Sequence, residues 1–211
     1  MVGPMHFTYF GRQLQGFDNL YNCTYLNERC VELAVAFDWL TGREPVNGLE
    51  VGNVLGHYSY GGHTVVDLYE PASELQALKR QRVLAVDLFD VATTVGSSWD
   101  WIVAISTLEH VRYDMDPGAD QDLNGSLDAI DYLRSLLGVG GQMLVTVPCG
   151  FHPMLDDVIV EELTGATRAS TLVRSDDDPM TWVQTETPEI RPYGGTGPWA
   201  DSVWIGEFDR V

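Results

Sequence analysis

Residues 49 to 56, Leu-Glu-Val-Gly-Asn-Val-Leu-Gly, set an acid and two glycines directly behind a short apolar run. Few chain geometries use that combination. The run Val46 to Val51 reads as a buried strand, and Gly52 and Gly56 let the backbone turn sharply and approach a ligand where a Cβ would clash. The pattern then recurs. His63 to Asp67 and Val83 to Asp87 are further short apolar runs ending in an acid. A fourth run, Trp99 to Ser106, leads into Thr-Leu-Glu-His-Val, and a fifth, Gln142 to Pro148, follows a Gly-Val-Gly-Gly turn. Strand-sized runs spaced in this way read as a series of five strands.

Between and around these runs the helical signals are few. Asn27 is an N-cap for a helix to about Leu40 that sets Cys30, Leu33, Ala34, Phe37 and Leu40 on one face, with Gly42 as its stop. Ser126 caps a second helix, with Ile130, Leu133, Leu136 and Leu137 toward the core and Gly138 at its end. Residues 1–25 show no clear period and read as an irregular cap. After Pro148, Thr171 to Arg174, Thr181 to Gln184 and Ser202 to Phe208 are strand candidates rich in β-branched and aromatic residues.

The 211 residues and 45% apolar content suit one domain with a packed core. Within it, 1–45 forms the cap and first helix, 46–150 the core, and 151–211 the C-terminal strands and substrate-side loops. No apolar run approaches the roughly 20 residues of a membrane span, and the N-terminus lacks the basic region and apolar run of a signal peptide. A cytoplasmic protein without a membrane partner is expected. Cys23, Cys30 and Cys149 lack metal-ligand spacing, so reduced thiols and no metal site are expected.

Charge narrows the partners further. The net charge is -19, with eleven arginines and one lysine, Lys79, so no basic stripe exists to follow a phosphate backbone. No nucleic-acid partner is expected. The acids gather at Asp114 to Asp122 and Asp176 to Asp178, which read as solvated loops, with a cation or cationic-substrate site as the alternative.

The ordered set Leu-Glu-Val-Gly, Val-Val-Asp-Leu, Val-Asp-Leu-Phe-Asp, Trp-Asp-Trp-Ile-Val-Ala-Ile-Ser-Thr-Leu-Glu-His-Val and Gly-Gly-Gln-Met-Leu-Val-Thr-Val-Pro resembles the Rossmann-like, class I S-adenosylmethionine-dependent methyltransferases. It covers roughly 46–150. The glycine loop is Gly-Asn-Val-Leu-Gly where that family more often has Gly-x-Gly-x-Gly, and Gly-Val-Gly-Gly stands where it often has Pro-Gly-Gly. The resemblance implies an α/β, single-domain Rossmann-like sandwich with a mostly parallel seven-stranded sheet. Its last two strands would form an antiparallel C-terminal hairpin, joined by a long connection over Pro188 to Trp199.

It also implies a site. S-adenosyl-L-methionine would be the cofactor and S-adenosyl-L-homocysteine the product. The backbone at Gly52, Asn53 and Gly56 would approach the methionine part, with Glu50 organising the loop. Asp67 would accept from the ribose hydroxyls, because a carboxylate offers acceptors only and can take two donors at once. Leu68 would pack on adenine or ribose, Asp87 and the Leu88 amide would read the adenine, and Ser106, after the fourth strand, would be a further cofactor-binding residue. His110, just past that strand, is the first candidate for a general base, and His152 the second. A histidine at a helix start, bonded to backbone, is the other reading of His110. Glu109 reads as an orienting acid.

The acceptor is narrowed by exclusion. The Asn/Asp-Pro-Pro-aromatic tetrapeptide of amino-group DNA methyltransferases is replaced by Ser106-Thr107-Leu108, and Pro148-Cys149 is an isolated dipeptide. A small-molecule or glycan hydroxyl is the expected acceptor, from similarity of the Asp-Leu-Tyr-Glu and Ser-Thr-Leu-Glu-His-Val segments to bacterial methyltransferases. The alternatives are a nicotinamide-dependent Rossmann oxidoreductase and a non-catalytic cofactor-binding module. The first lacks Gly-x-Gly-x-x-Gly and cannot have Tyr-x-x-x-Lys, since Leu75 lies four residues before Lys79.

Overall fold

The computed structural model describes residues 5–70, 82–113, 121–195 and 197–210. In chain order the strands are β1 (His6–Tyr9), β2 (Arg12–Gln15), β3 (Gly48–Val51), β4 (Thr64–Val66), β5 (Arg82–Leu84), β6 (Trp99–Ile105), β7 (Leu137–Pro148), β8 (Arg168–Arg174), β9 (Trp182–Thr185) and β10 (Ser202–Asp209). The α-helices are α1 (Arg29–Leu40), α2 (Val54–His57), α3 (Val91–Val95), α4 (Gly125–Leu136) and α5 (Pro153–Val160). Among the described residues no helix is long and apolar enough to cross a membrane. The chain divides into a middle unit, Gly42–Val145 with Glu207–Val211, and a flanking unit, Met1–Thr41 with Thr146–Gly206.

In the middle unit β3 pairs in parallel with β4 on one side and β6 on the other, and β4 pairs in parallel with β5. All four residues of β3 are buried, as expected of a strand covered on both faces. Trp101 of β6 fills the space that Gly48 leaves: a Cβ at position 48 would sit 1.9 Å from its ring. The chain runs from β3 outward to β4 and β5, then returns to β6 on the other side of β3. That reversal makes a crevice beyond the carboxyl ends of β3 and β6, the general place for ligands in open α/β sheets.

Several boundaries differ from the sequence reading. The strand expected from Val46 begins at Gly48, because Pro45–Asn47 form a 3-10 turn and Val46 is exposed. Ser126 does not cap α4 but lies buried within it, with Asn124 at the N-cap position. Gly138 does not end that helix either: Leu137 already begins β7.

The sheet has eight strands, ordered β5-β4-β3-β6-β7-β10-β8-β9, rather than seven. Gly140 N donates to Arg210 O and Cys149 N to Ser202 O, so β10 runs antiparallel to β7. The expected hairpin of the last two strands is replaced by one of β8 and β9, paired antiparallel from Thr171↔Thr185 to Arg174↔Trp182. The long connection after β9 brings β10 back beside β7 instead. Backbone packing enforces this return: a Cβ on Gly150, at φ +81°, would lie 2.2 Å from Arg191 O.

In the flanking unit residues 6–15 are not an irregular cap. They form the β1–β2 hairpin, closed by Phe10 and Gly11, both at positive φ. A two-residue turn of that kind suits the twist of a hairpin, but Phe-Gly does not announce it as Asn-Gly would. Phe10 is held by Gln184, which accepts from its N–H at 2.6 Å, and by Arg168 over its ring. Helix α1 is buried nearly all round, with Ala34 and Phe37 only half-buried, so the single-face expectation is too narrow. Asn27 bonds Arg29 N at the start of α1, while Glu28 occupies the N-cap position itself.

Glu28 carries a pH dependence. Burial, aided by repulsion from Glu32, raises its pKa from the ordinary 4.5 to about 7. The folded state therefore holds this proton more tightly than the unfolded chain, so its contribution is full below about pH 4.5 and is lost as pH rises through 7. Glu28→Gln, which keeps an acceptor for Ala200 N, is expected to be the more stable protein above pH 7, by up to about 3 kcal/mol. Denaturant melts from pH 4 to 8 check this; parallel curves for the two proteins would reject it.

Candidate functional site

The crevice at the carboxyl ends of β3 and β6 is built by the glycine loop. Gly52 has φ +76° and donates to Val66 O at 2.8 Å. A Cβ there would lie 2.4 Å from Thr107 Oγ1, so the loop passes the end of β6 only without a side chain. Gly56 plays a different part from the one expected. It is buried within the single turn of α2, and of the two glycines only Gly52 has positive φ.

Glu50, at the end of β3, is fully buried and faces inward. Its Oε1 accepts from Leu55 N at 2.6 Å and its Oε2 lies 2.6 Å from His63 Nε2. It thereby ties the end of β3 to Leu55 of the loop. Asp67 follows β4 and accepts from three backbone amides, Tyr69 and Glu70 at Oδ1 and Asn53 at Oδ2. A carboxylate offers about four lone-pair positions, so roughly one stays open for a ligand donor. Asn53 is buried and donates from Nδ2 to Glu70 Oε1, while Glu70 Oε2 lies 3.3 Å from His57 Nε2. Beside these, Leu68 and Tyr69 are 50% and 88% exposed, an apolar surface next to charged and polar groups.

Asp87 lies three residues past β5, exposed, and caps the 3-10 turn Leu88–Asp90 by accepting from Phe89 N. Leu88 is buried. Ser106, at φ +41°, is the first residue after β6, and Thr107 Oγ1 is tied to Ile105 O. The 3-10 turn Leu108–His110 then sets Glu109 inward and His110 outward. The His110 side chain is 59% exposed, with Nε2 3.8 Å from Glu109 Oε1.

Glu50, Gly52, Asn53, Gly56, Asp67, Leu68, Asp87, Leu88, Ser106 and His110 all lie in the middle unit, where Asn53 meets Asp67 and Glu50 meets the Leu55 amide of the glycine loop. His152 lies in the flanking unit. It is buried at the N-cap of α5, and its Nδ1 accepts from Leu155 N at 3.2 Å. That use of the ring is structural. Three contributors escaped the sequence reading: His63, Glu70 and Thr107. Glu70 follows Asp67 by three residues, a spacing that suits a turn, but only the fold reveals that Asn53 meets it.

Of the acid-rich segments, Asp114 to Asp120 lie outside the described residues, and Asp122 pairs with Arg112 at 3.6 Å. Asp176 pairs with Arg191 at 2.8 Å, and Asp178 accepts from Met180 N and Thr181 Oγ1. These acids serve local turns. Among the described residues no group of three or more His, Cys, Asp or Glu could hold a metal ion. The cysteines form no disulfide, and burial pushes the Cys30 thiol up to about 12.

The sequence matches no protein-family model and no curated protein. Solved structures do resemble it. The N-methyltransferase NodS from Bradyrhizobium japonicum WM9, in complex with S-adenosyl-L-homocysteine, aligns over 87% of each chain at 16% identity with a TM-score of 0.51. A second NodS structure aligns over 87% of this chain and 96% of that one, at 14% identity and a TM-score of 0.52. The fold is that of the Rossmann-like methyltransferases. An rRNA methylase from Streptococcus thermophilus also aligns, over 84% of this chain and 96% of the other, at 13% identity and a TM-score of 0.46. In this methyltransferase fold the glycine loop and Asp67 stand at the carboxyl ends of the first two parallel strands.

Proposed function

We propose that this protein is an S-adenosylmethionine-dependent methyltransferase acting on a small-molecule or glycan hydroxyl. The observation that carries the reading is the tight turn at Gly52 joined through Asn53 N to Asp67, at the point where the strand order reverses. A methylsulfonium cofactor bound there supplies an activated methyl group. The chain's own residues divide the binding. Gly52 and Asn53 offer close backbone approach, Asp67 keeps an acceptor position for ribose, Leu68 and Tyr69 offer an apolar platform, and Asp87 an exposed acceptor for an amino group. The protein then contributes alignment of the reacting atoms and removal of the acceptor proton. His110 suits that second task through its exposure and its place past β6.

An exposed imidazole supports a hydroxyl acceptor, and the acid-rich composition weighs against a polyanionic one. Cys149 suits a cytosine-5 mechanism poorly, since it is fully buried with its thiol directed at Val147 O. Calorimetry with S-adenosylhomocysteine tests the cofactor, and labelled S-adenosylmethionine with sugar nucleotides and small phenols tests the acceptor. Heat with a nicotinamide dinucleotide and none with S-adenosylhomocysteine would sink the proposal in favour of a dehydrogenase.

Asp67→Ala is expected to weaken S-adenosylhomocysteine binding by about 1 to 3 kcal/mol, because ligand hydroxyls and three backbone amides lose their acceptor. Asp177→Ala should leave affinity nearly unchanged, since that exposed side chain lies on a turn of the flanking unit. Equal losses from the two would show that general acidity, rather than the β4 terminus, governs binding.

A further inference from the structure

His63 and Glu50 form a dry dyad directly beneath the glycine loop. Their side chains are 0% exposed and Nε2 lies 2.6 Å from Oε2. Tyr60 and Trp101 flank the imidazole, at ring-centroid distances of 5.3 and 5.6 Å, and Trp101 is itself fixed by its bond to Glu44 O. Nδ1 of His63 has no hydrogen-bond partner among the described residues. The ring therefore makes its one polar contact to Glu50. A buried carboxylate is tolerated only when donors satisfy it, and Glu50 has two, His63 at one oxygen and Leu55 N at the other.

The second donor connects the dyad to the ligand loop. Helix α2 has only four residues, so it cannot hold its shape through internal bonds. Its position rests on bonds from outside: Gly52 N to Val66 O, Asn53 N to Asp67, and Leu55 N to Glu50. We propose that His63 is a positioning residue for the cofactor loop. By donating to Oε2 it fixes the rotation of the Glu50 carboxylate, so that Oε1 meets the Leu55 amide and the Asn53–Gly56 turn keeps its ligand-binding shape. This rests on the cofactor reading above. An apolar residue at position 63 would leave Oε2 a buried acceptor without a donor. The carboxylate would then turn toward another donor, and that rotation loosens the loop.

The test is calorimetric titration of S-adenosylhomocysteine into wild type, His63→Leu and His63→Gln, with thermal melts of each. The glutamine amide can donate from about the place of Nε2. Expected are a Kd at least tenfold higher for His63→Leu and one within threefold of wild type for His63→Gln. If His63 only packs, His63→Leu melts lower yet binds with unchanged Kd, and that result would overturn the inference while leaving the cofactor reading intact. No binding by the wild type would overturn the cofactor reading, and this inference with it. Should His63→Leu not fold, nitrogen NMR and amide exchange on the wild type decide. A proton on Nε2 and a Leu55 amide protected from exchange are expected; an unprotonated Nε2, or a freely exchanging Leu55 amide, would refute the role.

Discussion

Gly52→Ala is expected to lower affinity for S-adenosylhomocysteine at least a hundredfold and to destabilise the fold. Two costs act together. A left-handed conformation costs a residue with a Cβ about 1–2 kcal/mol, and Gly52 has φ +76°. The new Cβ would also lie 2.4 Å from Thr107 Oγ1 and 2.9 Å from Thr107 Cγ2. Thr107 cannot step aside freely, because it is β-branched and its hydroxyl bonds Ile105 O. Forcing such a contact costs typically about 1–3 kcal/mol. The Gly52 and Asn53 amides, bonded to Val66 O and Asp67, shift with the loop, so binding falls along with stability. The two costs are separable. Thr107→Ala removes both clashing atoms, so Gly52→Ala with Thr107→Ala should recover the steric share and leave the conformational one. Calorimetry and melts on both single variants and the double variant measure this. A Gly52→Ala protein with normal affinity would mean that the ligand loop lies elsewhere.

His110→Ala is expected to lower turnover about a hundredfold or more while leaving cofactor affinity nearly unchanged, the loss appropriate to a general base. The residue sits on the 3-10 turn that follows β6, directed outward. The buried Glu109 side chain lies 3.8 Å from Nε2, a carboxylate beside the ring that would take the acceptor's proton. His152, the other candidate, has its Nδ1 committed to Leu155 N inside the flanking unit. The measurement is a rate–pH profile with an accepted substrate for wild type and His110→Ala. Full turnover by the variant across the range would remove His110 from the chemistry and leave alignment of the reactants as the source of rate.

Much of the parallel core was legible because its signals are local. A strand covered on both faces must be apolar, so Leu49, Val65, Val66 and Ile102 to Ile105 identify their strands without reference to partners. A turn at positive φ favours glycine, which marks Gly52. Asp67 and Asp87 stand out by their place after apolar runs, although Asp87 lies three residues past β5. Signals fail where the partner is remote. Phe10 occupies a position where glycine or asparagine is usual, and it is held there by Gln184 and Arg168, more than 150 residues away. The order of β8, β9 and β10 could not be read for a related reason: alternating β-branched residues show that a strand exists, but pairing is settled by backbone bonds such as Cys149 N to Ser202 O.

By itself, then, the sequence determined the apolar strands of the core, the glycine turn and the acids that follow β4 and β5, because each depends on a few adjacent residues. Only the tertiary structure decided what those acids do. Glu50 and Asp67 look alike as strand-end carboxylates, yet Glu50 is buried against His63 while Asp67 collects amides at the crevice with one position to spare. His110 and His152 also look alike as residues just past strands, yet one faces outward and the other caps a helix from within. The physical reason is that a titratable group takes its role from its solvation and its donors. Part of each is supplied from another segment, as Asn53 N supplies Asp67 and His63 supplies Glu50.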